Sequence, residues 1–390
     1  MYGKPGYKGN PSDQQGLTLL ELLLVVTILS AMAYTTLAVV DNDSNQVRFE
    51  DTRNRLEMIR AAVLGSRHPT AWHDGYQGGY VTDNGILPIN IAALVDSPAN
   101  YDLFGVVSPQ FDPIPDAGGV NNGPAAGIGQ EITLNDPLQT LLKGHRGFYV
   151  AGSRNNRYRD GWGTDRTVGG AAAIDCPTDP GAAGGNEGTD VDAVNHGWCV
   201  THSADGLYVD SYGLDAQAGA LTGDVYEQDM AMAEPVLAND WLITVLAGST
   251  VSVVNQSGSD IDLGPLLPNG IGPTLRVSLL TYFNDADQIN EYNWRRVTSS
   301  PVLDRCLDGD GDGLCNGAAA PQTTTVFFTA NFNVPQGEHL LVLVSDPDGV
   351  VNTVDDTTVL PAGVGNLGLG ANRIKLFSRG GTPDMEIRIL

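Results

Sequence analysis

Lysine is nearly missing from this chain: Lys4, Lys8, Lys143 and Lys375 are all it has. Charged residues of every kind make up only 17% of the 390 residues, so long solvated helices should be few. The charge that is present has one dominant sign, 46 acidic side chains against 21 Lys and Arg, for a net −25. Such a surface repels phosphate backbones, which argues against nucleic acid as a partner, and can collect divalent cations. Catalytic signatures are missing as well. No phosphate-binding loop, nucleophile elbow or HExxH run occurs. Gly363, Gly365 and Gly368 have the spacing of a dinucleotide fingerprint but lack the helix and later acid that would complete it, so they read as a loop. His68, His73, His145 and His339 form no visible constellation. No enzyme is expected.

Long apolar runs are also absent, with one exception. Residues 17–40 read LTLLELLLVVTILSAMAYTTLAVV and carry a single formal charge, Glu21. At 1.5 Å per residue this run can span a bilayer as a helix. Residues 1–16 before it are polar, with Lys4 and Lys8 against Asp13. A carboxylate in a membrane helix costs roughly 2.5–3.5 kcal/mol at mid-helix and usually has a partner. The stretch from Gly16 to Glu21, GLTLLE, followed by LLLVVTIL, resembles the processing site of type IV pilins and pseudopilins. The resemblance implies that a prepilin peptidase cuts between Gly16 and Leu17 and methylates the new amine. It also implies that Glu21 pairs with the terminal amine of a neighbouring subunit in a filament, because neither charge is tolerated alone in a dry core. Two departures stand out. Leu17 replaces the usual Phe or Met, and no proline kinks the helix near Ala38, so the helix should run straighter there. A cleaved secretory signal, with Ala31-Met32-Ala33 as its cut, or a plain anchor is the alternative.

Residues 41–64 read as an amphipathic helix in which Val47, Leu56, Ile59 and Val63 form a stripe against the chain's own head. Asp41, Asn42, Asp43 and Ser44 are cap-type residues that allow a break, and Gly65 and Pro69 end the helix. Residues 66–234 then read as an α+β head with short apolar runs and loops rich in Gly, Ala, Pro and Asp at 112–129 and 167–197.

Three stretches of this head are similar to the major pseudopilin of type II secretion systems: Gly79–Val81 through Gly85–Pro88, Arg159-Asp160-Gly161-Trp162-Gly163, and Tyr208 to Asp215 closing at Tyr226–Met230. Gly161 stands where that family has proline. The resemblance implies a calcium loop with Asp215 and Asp229 as carboxylate ligands, Ser211 and the Leu214 carbonyl as further donors, and Asp224 as a possible addition. A solvated acidic turn is the alternative.

The four cysteines come as Cys176 with Cys199 and Cys306 with Cys315, and an even count in an exported chain argues for two disulfides. Cys176 with His196, Cys199 and His202 is a weaker zinc alternative. Residues 235–390 form an extension beyond the pseudopilin-like part. Val, Thr, Leu and Phe runs at Trp241–Val254, Thr274–Phe283, Thr323–Phe332, His339–Val344, Arg373–Phe377 and Met385–Leu390 argue for an antiparallel β-sandwich. The alternation over Thr274–Leu279 gives it one buried face. Within the extension, Asp308, Asp310, Asp312 and Gly313 match the first half of a calcium loop, with Ala319 in place of the closing Glu and no flanking helices.

The expectation is therefore an α+β protein in four parts: leader 1–16, assembly helix 17–65, head 66–234 and sandwich 235–390. It is expected to self-assemble into a pilus-like or pseudopilus filament. Its partners would be the prepilin peptidase, the inner-membrane assembly machinery and other minor pilins. It would sit first in a bacterial inner membrane and then in a periplasmic or surface filament. A minor pilin whose extension is an adhesin is the alternative, and an anchored hydrolase is weaker still.

Overall fold

A computed structural model describes residues 18–65, 78–98, 101–107, 141–151, 157–163, 194–203, 206–215, 224–262, 274–284, 294–298, 306–315, 318–346, 357–358, 373–377 and 385–389. The fold is α+β, a long N-terminal helix followed by many mostly antiparallel strands.

Helix α1 runs unbroken over Leu19–Leu64. Neither Gly nor Pro interrupts that span, so the peptide ladder has no missing donor and no soft point. Thr18 caps it: its side-chain oxygen accepts the Glu21 N–H at 3.3 Å, and the Glu21 carboxylate accepts the Thr18 N–H at 2.9 Å. Thr27 and Thr36 return their hydroxyls to Leu23 O and Met32 O, both at 2.7 Å, which hides two polar groups on an apolar rod. The break allowed at Asp41–Ser44 does not occur. Cap-type residues cost only a few tenths of a kcal/mol each inside a helix, too little to end one that continues on both sides. The helix ends at Gly65, whose N–H returns to Ala61 O at 2.8 Å.

The rear of α1 buries Thr52, Leu56, Ile59, Ala62 and Val63 in the core of the head. Each large apolar side chain so buried contributes roughly 1.5–3 kcal/mol. Val47, counted in the expected stripe, is instead 66% exposed, because the head begins to cover the helix only about a turn later. Around this rear half lie α2 (Tyr80–Asn84) and α3 (Ala92–Val95). With them are the antiparallel pair β1 (Gly105–Val107) and β2 (Leu141–Lys143), and an antiparallel sheet of β3 (Cys199–Ser203), β4 (Gly206–Ser211), β5 (Met230–Ala231) and β6 (Val236–Leu237). The short helix α4 (Ala238–Trp241) follows, and Val236 and Trp241 belong to the head core.

Residues 235–241, expected in the extension, thus pack with the head, and the extension's own strands begin with β7 (Leu242–Val245) and β8 (Thr250–Asn255), then β9 (Ile261–Asp262), β10 (Thr274–Tyr282) and β11 (Trp294–Thr298). It continues through β12 (Cys306–Leu307), β13 (Leu314–Cys315), β14 (Ala318–Ala319), β15 (Thr323–Phe327) and β16 (Phe332–Pro335). It closes with β17 (Gly337–Asp346), β18 (Thr357–Thr358), β19 (Arg373–Leu376) and β20 (Met385–Ile389). One layer has the order β11-β10-β17-β18 with β19 also on β17, and the other is β15-β8-β20 with the pair β16-β7 beside it. Val251, Val253, Val326 and Ile387 from one layer meet Leu275, Val277, Leu341 and Leu343 from the other in a shared core. The pairing is not wholly antiparallel, because β20 runs parallel to β8. The two strands are distant in sequence, so no tight turn forces them to run oppositely.

The expected single buried face of β10 is also corrected. Arg276 and Ser278, on the face opposite Leu275 and Val277, are buried too. Farther along that second face Leu280 and Tyr282 join Leu340, Val342 and Val344 in a separate apolar cluster with Leu141 of the head. A polar seam surrounds this contact. Lys143 is buried and donates to Thr82 O at 2.8 Å, and His339, fully buried, lies close enough to feel its charge. Burial lowers the Lys143 ammonium to about 8, with Asp83 and Glu338 opposing the shift.

Candidate functional site

Two regions carry chemistry worth weighing: the free half of α1 and the acidic loop between β12 and β13. On α1, the apolar side chains from Leu19 to Val40 that are described are exposed on every side. The helix is long and apolar enough to cross a membrane. Glu21, in its first turn, is the only charge before Asp41, and its carboxylate is held by the Thr18 N–H and hydroxyl. Gly16 and Leu17 lie outside the described residues.

The acidic loop is built by a register. Leu307 pairs with Ile261 and Cys306 with Asp262, so Asp308 emerges beside Asp260. Asp308 is buried, and its two oxygens accept the N–H groups of Gly311 at 2.8 Å and Gly313 at 2.9 Å. Asp260 accepts the Gly309 N–H at 3.1 Å. Gly311 and Gly313 take φ of 84° and 77°, which lets the chain curl around the Asp308 carboxylate. A disulfide between Cys306 and Cys315 closes the loop, with Cα atoms 6.2 Å apart. The result is a convergence of Asp260, Asp308 and Asp310, one oxygen of each within 4.8 Å of the others. Two carboxylates at that range repel by roughly 3–4 kcal/mol at an effective dielectric near 20, and a cation between them removes that cost. Asp312, expected as a ligand, accepts the Leu314 N–H at 2.7 Å and is not part of the group. Asp260 was not foreseen from sequence. It lies far upstream of Asp308, and only the β9–β12 pairing joins the two.

The other expected calcium loop is arranged differently. Ser211 is buried and donates its hydroxyl to Asp160 at 2.7 Å. Leu214 donates its N–H to Tyr226 O at 2.7 Å, and Asp224 accepts the Tyr226 N–H at 3.0 Å. Asp215 and Asp229 are half-buried. Among the described residues, Asp215, Asp224 and Asp229 do not converge as a three-carboxylate group. Aromatic contacts hold this loop on α1, with Tyr226 6.0 Å from Phe49 and 6.2 Å from Trp162. The Asp160–Gly163 turn clasps the same stretch of helix. Gly161 donates to the Thr52 hydroxyl at 2.9 Å, and a Cβ at position 161 would come within 2.2 Å of Arg48 O, so glycine is required there.

Cys199 is disulfide-bonded, while Cys176 lies outside the described residues. His196 accepts the Tyr158 N–H at Nδ1, 3.0 Å away. The thiolate that a zinc site would need is therefore not available at Cys199. No family model, no curated protein and no solved structure matches this chain.

Proposed function

We propose that the chain is a structural subunit of a type IV pilin-like filament, processed between Gly16 and Leu17 and assembled through α1. One observation carries the reading: the front half of a continuous 46-residue helix is apolar all round and uncovered, while its rear half is built into the head core. A helix hydrophobic on every side needs lipid or other helices around it. A single carboxylate at its leading end needs a cationic partner once its surroundings are dry. The subunit would wait in the inner membrane, then join neighbouring copies under the assembly machinery. In a pseudopilus this would serve protein secretion.

The decisive experiment combines N-terminal sequencing of the mature protein with electron microscopy of Glu21→Gln. A start at Leu17 and loss of filaments in the variant are expected. A start at Tyr34, or normal filaments from the variant, removes the proposal.

The acidic loop is proposed to hold calcium. Its donors are all oxygen, which suits a hard cation, and Asp260, Asp308 and Asp310 would supply three ligands with water completing the shell. Bound there, the ion would neutralise carboxylates already gathered by the disulfide and the turn.

A further inference from the structure

The seam between head and extension is closed by hydrogen bonds that cross it. Asn284, at the end of β10, donates its N–H to Asn84 O at 2.6 Å and its side-chain amide to Asn84 Oδ1 at 2.9 Å, and both residues are fully buried. Its side-chain oxygen Oδ1 accepts the Asp102 N–H at 2.9 Å, and Tyr282 donates its hydroxyl to Asp102 Oδ2 at 2.8 Å. Gln336, just before β17, donates its side-chain amide to Leu64 O at 2.7 Å and its backbone N–H to Trp241 O at 2.7 Å. The first of these bonds takes one of the carbonyls that the end of α1 leaves open. Backbone meets backbone at Gly85, where a Cβ would lie 2.1 Å from Tyr282 O.

We propose that the extension is a brace for the head. Asn284 and Gln336 complete the hydrogen bonding of α1 and α2, so head and extension open as one cooperative unit and the extension keeps a fixed attitude to the long helix. Domain contacts within a chain ordinarily allow relative motion. Here separation would strand buried amides and carbonyls against the apolar cluster of Leu141, Leu280 and Leu340. The inference holds whatever surrounds the front of α1, so it stands or falls apart from the filament reading.

Hydrogen exchange read by mass spectrometry on the full chain in detergent, across a urea series, tests it. Head peptides over 80–85 and 101–104 and extension peptides over 251–255 and 340–344 should lose protection at one midpoint. Asn284→Ala should speed exchange in both sets alike, by about tenfold. Two separate midpoints, or acceleration confined to one side, overturns the proposal. If the variant does not fold, the urea series on the unaltered chain decides alone.

Discussion

Acid should loosen this protein through His339. The ring is fully buried, its Nε2–H donates to Pro335 O at 2.8 Å, and its Nδ1 faces the Thr281 hydroxyl at 3.2 Å. A carbonyl can only accept, so the proton belongs on Nε2, and Nδ1 accepts from Thr281. Burial, and then the nearby Lys143 charge, push this histidine down from 6.5 to about 3. Above pH 6.5 the ring is neutral folded or unfolded and stability does not depend on it. Below 6.5 the unfolded chain takes up a proton that the folded chain refuses until about pH 3, so stability is lost as pH falls through that window. The slope is about 1.4 kcal/mol per pH unit, and the full loss is about 5 kcal/mol, comparable to the whole stability of a marginal domain. Other groups titrate in the same range, so the comparison is with His339→Gln, which cannot take up the proton. Urea unfolding followed by circular dichroism in detergent, from pH 7 to pH 4, gives both curves. Between pH 6.5 and 4.5 the unaltered chain should lose roughly 2 kcal/mol more than the variant. Parallel curves would refute both the burial of the neutral ring and the seam around it.

Two further outcomes follow from the geometry. Gly161→Ala should lower stability by about 2–3 kcal/mol, read as a drop in Tm, because its Cβ collides with Arg48 O and the turn must lift off α1; an unchanged Tm would contradict the close approach. Calcium should raise the Tm of the full chain and Asp308→Asn should abolish the rise; equal Tm values with calcium and with chelator would remove the ion from the acidic loop.

Local features were the legible ones. Thr274–Phe283 reads as a strand and folds as Thr274–Tyr282, because β-branched and aliphatic residues bounded by turn residues leave little choice. Met385–Leu390 likewise reads as a strand, and its described residues Met385–Ile389 form one. Gly65 ends α1 as expected, since it lies just past the last periodic apolar position. The pairings that join distant segments were not legible. Nothing near Asp308 points to Asp260, and nothing in β10 says that Arg276 and Ser278 will be covered. Asn84 and Asn284 look like ordinary turn residues until the fold brings them together. Alternation reports one face of a strand and is silent about a second layer contributed from elsewhere in the chain.

The continuity of α1 also sets a height. Where its front lies in a bilayer, Leu19–Val40 spans roughly 33 Å, about the thickness of the hydrocarbon. The helix then runs on through Asp41–Glu50, exposed but for two half-covered positions, before Thr52 is buried, which lifts the head by roughly 15 Å. That stand-off exceeds the ~8 Å over which salt screens charge at physiological strength. A strongly acidic body on such a stalk stays clear of the field of anionic lipid headgroups and remains free to turn about the axis of its own support.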